Sequence, residues 1–102
     1  MPTKKVLCKV SEIPEDSSGC FEIEDKRIAL FHRSGKLYAL NNVCPHRGGP
    51  LAEGIVADGF VSCPFHGWKF RLENGQLSSN AAISVAVYAV SVEDGNVLIE
   101  LP

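Results

Sequence analysis

Two short pairs of soft ligands stand out in this chain of 102 residues, Cys44-Pro45-His46 and Cys63-Pro64-Phe65-His66. Sixteen residues, Arg47 to Ser62, separate them. Each pair offers one thiolate and one imidazole, and four such ligands imply a metal. Structural zinc sites more often take C-x₂₋₄-C from one loop and H-x₃₋₅-H from another element, because a single tetrahedral ion is indifferent to how its ligands are divided. A 2Fe-2S centre in which two histidines replace two cysteines on one iron is suited to this division, with one thiolate and one imidazole from each loop.

The residues around the pairs suit such a centre. Gly48, Gly49 and Gly67 let the backbone approach bridging sulfides and aim N–H groups at them, while Pro45 and Pro64 stiffen the turn after each cysteine. The stretches Cys44-Pro45-His46-Arg47-Gly48-Gly49-Pro50-Leu51 and Cys63-Pro64-Phe65-His66-Gly67-Trp68 resemble the loops of the Rieske proteins. The resemblance extends over nearly the whole chain, including flanks that look like those of a small Rieske ferredoxin.

That resemblance implies a Rieske-like antiparallel β-sandwich with a cluster-binding subdomain of two loops, and one Rieske-type 2Fe-2S cluster. It implies that Cys44 and Cys63 hold one ferric ion through sulfur, and that His46 and His66 hold the redox-active iron through ring nitrogen. A zinc site and a cluster-free copy of the fold are the alternatives. Zinc predicts a colourless protein; the Rieske reading predicts red-brown material with about two irons and two labile sulfides.

High-potential Rieske proteins carry an extra cysteine in each loop and a serine shortly after the second histidine. The matching positions here are Gly49, Phe65 and Trp68. Fewer hydrogen bonds to sulfur leave the more negative reduced cluster less stabilised, so the potential is expected near the bottom of the Rieske span of about −150 to +300 mV. Loss of imidazole protons from the oxidised form should lower it further at alkaline pH.

A low potential suits a carrier that accepts one electron from an NAD(P)H-dependent flavoprotein reductase or large subunit. Within the family, Cys-Pro-His-Arg-Gly-Gly-Pro-Leu-Ala-Glu-Gly and His-Gly-Trp-Lys-Phe are most similar to the small subunit of assimilatory NAD(P)H nitrite reductase, which makes nitrite reductase the expected acceptor. The alternative is the ferredoxin component of an aromatic-ring-hydroxylating dioxygenase, with a terminal oxygenase as acceptor. Those ferredoxins commonly show threonine after the first cysteine and a proline-bearing loop after the second ligand pair. Here Pro45 follows the first cysteine, and there is no proline from Phe65 to Leu101. No catalytic residues are expected: no flavin or nucleotide signature and no nucleophile with a well-spaced base is present.

The elements that must hold these loops read as all-β. Ser34-Gly35, Asp58-Gly59, Asn74-Gly75 and Asp94-Gly95 fall between apolar or alternating segments, as in tight antiparallel hairpins. Strands are expected near Lys4 to Val10, Cys20 to Ile23, Arg27 to His32, Lys36 to Asn41, Phe60 to Ser62, Lys69 to Leu72, Ser84 to Val92 and Val97 to Leu101. Ser11 to Gly19 reads as a polar loop with one helical turn. The two ligand pairs then sit in loops at strand ends, free to converge.

Length predicts one domain, residues 1–102, in the size range where a cluster usefully ties loops together. A net charge of −2 with 10 basic residues argues against nucleic acid. The mostly apolar run Ala81 to Val92 is shorter than the roughly 20 residues of a membrane span, and Met1 to Val10 lacks the apolar stretch of a secretory signal. The chain therefore reads as cytoplasmic, with no membrane partner. Cys8 and Cys20 are expected to be unlinked thiols. Cys8 shares a buried strand face with Val6 and Val10, and Cys20 faces away from Phe21 and Ile23. His32 reads as a surface residue on an edge strand, Trp68 as a packing residue, and Arg47, Lys69 and Arg71 as charges able to guide an acidic partner.

Overall fold

The computed structural model describes residues 3–43, 50–64 and 67–101. Its strands are β1 (Thr3–Lys9), β2 (Ser18–Ile23), β3 (Lys26–Arg33), β4 (Lys36–Asn41), β5 (Ile55–Ala57), β6 (Phe60–Ser62), β7 (Lys69–Arg71), β8 (Gln76–Leu77), β9 (Asn80–Ser84), β10 (Val87–Tyr88), β11 (Val90–Glu93) and β12 (Asn96–Leu101). Short 3-10 turns occupy Val10–Glu12 and Leu51–Glu53. The strands form three antiparallel sheets, in the orders β1-β12-β11, β10-β4-β3-β2 and β5-β6-β7-β8-β9.

The middle sheet explains the architecture. On β3, Ile28, Ala29, Leu30 and Phe31 are all fully buried, so this strand reads as a continuous apolar run because both of its faces are covered. Ile28 and Leu30 join Cys8, Ile13, Ala39, Val97, Ile99 and Leu101 in one core against β1 and β12. Ala29 and Phe31 join a second core with Leu51, Val61, Cys63, Phe70 and Leu72. Burying each large aliphatic or aromatic side chain contributes about 1.5–3 kcal/mol. The second core is the one that holds Cys63.

Hairpin chemistry is close to expectation. At Ser34-Gly35, Asp58-Gly59 and Asp94-Gly95 both turn residues have positive φ, the geometry whose twist matches antiparallel strands. At the fourth site only Gly75, and not Asn74, is left-handed. A fifth turn of the same kind, Glu24-Asp25 with φ of 47° and 66°, joins β2 to β3 without any glycine and so left no signal. On β12, Val97, Ile99 and Leu101 point inward as their alternation predicts.

Three expectations are corrected. Val6 does not share the buried face of Cys8: it is 57% exposed. A register shift between them pairs Val6 with Leu98 and Cys8 with Val97, and this bulge turns both Leu7 and Cys8 toward the core.

The expected strand Ser84 to Val92 is three pieces in three sheets: the end of β9, then β10 against β4, then β11 against β12. It breaks where it crosses between sheets. Val85 is buried and its N–H donates to the Gly75 carbonyl, the Ala86 carbonyl accepts from Asn41 N–H, and the Ala89 carbonyl accepts from Glu100 N–H.

His32, finally, is not on an edge, since β3 lies between β2 and β4. Its side chain is only 20% exposed.

Candidate metal centre

Of the four expected ligands, Cys63 lies among the described residues; Cys44, His46 and His66 lie outside them, as do Pro45, Arg47, Gly48, Gly49 and Phe65. Cys63 follows β6 directly and is 2% exposed, packed in the second core. Its backbone closes the loop it opens: Cys63 N–H donates to the Trp68 carbonyl at 2.7 Å, and Gly67 N–H donates to the Cys63 carbonyl at 3.2 Å. Gly67 takes φ +70°, which only glycine adopts freely. β6 and β7 hold the loop ends together through the Ser62–Lys69 pair.

The first ligand segment is bracketed in a different way. Val43 and Pro50 form an isolated antiparallel bridge, so the chain leaves and returns at one place. Asn42 sits beneath this bridge, 4% exposed and the one buried polar side chain among the described residues. Its carbonyl accepts from Leu51 N–H at 2.8 Å, and its N–H donates to the Arg27 carbonyl at 2.9 Å. Its Oδ1 accepts from Ala52 N–H at 2.8 Å, which fixes the amide orientation, and Nδ2 donates to Cys20 Sγ at 3.1 Å. Asn41 Oδ1 accepts in turn from Val43 N–H.

Both segments meet on the same core. Leu51, at the return of the first, and Cys63, at the start of the second, belong to one buried cluster. Gly54 follows Leu51–Glu53 with its backbone so near β6 that an added Cβ would collide with the Ser62 carbonyl oxygen. The exit of one loop is therefore stacked on the entry of the other.

Around this point Trp68 packs partly buried against the core, its ring 6.4 Å from that of Phe70, as expected of a packing residue. Lys69 and Arg71 are exposed on β7. Arg71 is more than a solvated charge, for its guanidinium lies over the Phe60 ring at 4.8 Å.

Cys8 and Cys20 are not joined in a disulfide. Cys20 is exposed and faces opposite to Phe21 and Ile23, which pack on the first core. Desolvation by its neighbours pushes its thiol up, as do the carboxylates of Glu22 and Glu53, against the opposing Arg27. Burial, and secondarily Glu12, pushes Cys8 up as well.

His32 is a structural clasp. Its Nδ1 donates to the Ile13 carbonyl at 2.8 Å, and its Nε2 lies 2.9 Å from the Glu15 carboxylate.

Asn42 and Gly54 escaped the sequence reading. A polar residue two positions before Cys44 was the available signal for Asn42. A glycine with ordinary φ, −77°, gives none for Gly54, because its need is space and not conformation.

Comparison with known proteins agrees with this geometry. A curated relative, the 3-phenylpropionate/cinnamic acid dioxygenase ferredoxin subunit of Shigella flexneri serotype 5b, is 35% identical over 97 residues, covering 93% of this chain and 91% of its own. A crystal structure described as a nitrite reductase NADPH small subunit superposes with a TM-score of 0.87 at 27% identity, covering 95% of this chain and 97% of that one. The Sphingomonas yanoikuyae B1 ferredoxin superposes equally well, with a TM-score of 0.87 at 27% identity and 98% and 100% coverage. Residues 3–89 match the model of the Rieske [2Fe-2S] domain. The fold and these similarities converge on one conclusion: the chain belongs to the Rieske [2Fe-2S] domain family, as an electron-transfer protein with a Rieske-type cluster.

Proposed function

We propose that Cys44 and Cys63 hold one iron of this cluster and His46 and His66 the other, within a single functional unit of residues 1–102. The donor set fits, two thiolates and two imidazoles being the ligands of such a centre. The observation that carries the proposal is the stacking of the two loop bases, with Leu51 and Cys63 on one core and the Gly54 backbone against Ser62. When bound, the cluster supplies a one-electron couple. The protein's own part is to bury the Cys63 thiolate, close its loop through Gly67 and Trp68, and exclude water with Leu51 and Phe70.

The chain then carries single electrons from an NAD(P)H-dependent flavoprotein to nitrite reductase, as that enzyme's small subunit, in the cytoplasm and without a catalytic site of its own. The loop sequences quoted above and the likeness to a nitrite reductase small subunit support this acceptor. A second reading, a ferredoxin passing electrons to a terminal dioxygenase, is favoured by the 35% identity to the dioxygenase ferredoxin subunit. Among the described residues, no helix is long and apolar enough to cross a membrane.

The test is an EPR spectrum of the dithionite-reduced protein with iron and sulfide counts on the same sample. A rhombic signal of low average g with about two irons and two sulfides per chain supports the ligand set; a silent, zinc-containing sample after anaerobic reconstitution overturns it. Single-turnover reoxidation by a nitrite reductase large subunit or by a ring-hydroxylating oxygenase then separates the two acceptors.

A further inference from the structure

We infer that Asn42 is a positioning residue for the first ligand loop, setting the geometry in which Cys44 and His46 meet iron. The inference rests on the ligand reading above. Its ground is the placement of the bonds that one buried residue makes, two through its main chain and two through its side chain. The loop leaves at Val43 and returns at Pro50, and Asn42 binds both sides of that gap. Its carbonyl holds Leu51 N–H, its Oδ1 holds Ala52 N–H, and its own N–H anchors the whole to the Arg27 carbonyl on β3. The remaining group, Nδ2, is spent on Cys20 Sγ, so β2 also bears on the loop base.

A hydrophobic residue here would fill the same space yet leave Ala52 N–H without its acceptor. The main-chain bond from Leu51 N–H and the Val43–Pro50 bridge would remain, but the loop's return would lose its side-chain brace at Ala52 and the tie to β2. Ligands on a loop less firmly braced at its base sample more orientations, and loss of groups that orient metal ligands lowers metal retention by about 10- to 100-fold. Asn42 touches no ligand that the structure describes, and acts through the backbone of residues 51 and 52.

The experiment compares Asn42→Ala, Cys20→Ala and Cys20→Ser with the wild-type protein, each reconstituted with iron and sulfide and purified as the folded, cluster-loaded species. Readouts are the rate of bleaching under an iron chelator, the EPR g-values and the melting temperature. The expected result is bleaching about 10-fold faster for Asn42→Ala, with shifted or broadened g-values in its loaded fraction. Cys20→Ala should move the same way by a smaller amount, and Cys20→Ser, which keeps an acceptor for Nδ2, should restore the wild-type spectrum.

A lower melting temperature with unchanged g-values and chelator resistance would make Asn42 merely structural and overturn the inference. Should Asn42→Ala fail to fold, Cys20→Ala decides: behaviour identical to Cys20→Ser and wild type overturns it as well. Failure of the wild-type protein itself to hold iron and sulfide would bring down the ligand reading, and the inference with it. That failure is seen in a sample containing no substitution.

Discussion

Gly54 and Ser62 lie so close that the backbone of the one occupies the space where a side chain would begin above the carbonyl of the other. Ser62 precedes Cys63, and Gly54 ends the segment returning from the first ligand loop. One steric condition therefore aligns the bases of both proposed ligand loops. Gly54→Ala should cost about 1–3 kcal/mol through overpacking against backbone, which cannot rotate away. It should also lower iron content per folded chain. Denaturant midpoints and iron counts on the same preparation check this; an unaltered midpoint would remove Gly54 from the account.

The clasp at His32 makes a separate forecast. Its ring bridges the Ile13 carbonyl and the Glu15 carboxylate, while the other Glu15 oxygen accepts from Gly35 N–H. His32→Ala leaves a part-buried carbonyl unsatisfied and should cost about 1–3 kcal/mol. Glu15→Gln keeps a polar side chain in this half-exposed contact and should cost about 0–1 kcal/mol. Hydrogen exchange of the amides of residues 13–17 should quicken far more in the first variant than in the second.

Alkaline pH should expose the buried thiol of Cys8. Burial raises its pKa in the folded chain, so on raising the pH the unfolded chain loses its proton first. The stabilisation from Cys8 is thus intact below the ordinary thiol value, about 8.5, and is lost as pH rises through the higher folded value. Denaturation of wild type and Cys8→Ala at pH 7 and pH 10 should show a gap between them that narrows at the higher pH. Cys20, whose thiol is also raised, should alkylate slowly at neutral pH despite its exposure, because the thiolate is the reactive form.

A potential in the lower part of the Rieske span, about −150 to +300 mV, follows from Gly49, Phe65 and Trp68 standing where high-potential relatives carry two cysteines and a serine. Redox titration should give a midpoint below zero, and a value well above it would contradict the argument from missing hydrogen bonds.

The exposed pair Lys69 and Arg71 on β7, two strand positions apart with Lys69 paired to Ser62 beside Cys63, should favour an acidic partner surface. Charge reversal at Lys69 should slow reduction by a flavoprotein reductase most at low ionic strength and leave the midpoint nearly unchanged, because long-range steering is screened by salt. Arg71→Ala should in addition lose about 0.5–1 kcal/mol of stability through its contact with Phe60. Stopped-flow rates across a salt series check the first, and thermal unfolding the second.

Much of this protein was legible before any coordinates. The mixed Cys–His pairs announced the chemistry, since ligand type and spacing are local properties. The glycine-bearing turns and the alternation along β12 announced an antiparallel all-β chain, because turn conformation and strand periodicity are also set within a few residues. What escaped was decided between distant segments. The bulge that exposes Val6 depends on the register of β1 against β12, and the break within residues 84–92 on that stretch being shared among three sheets.

The sequence by itself determined which atoms could meet a metal and which turns could fold. Only the tertiary structure decided that Asn42 would tie a loop base to β2 and β3, that Gly54 would have no room for a side chain, and that His32 would be a clasp within a central strand. The reason is physical: ligand chemistry and turn preference belong to the residue and its neighbours, whereas space and hydrogen-bond partners inside a core belong to segments brought together from across the chain.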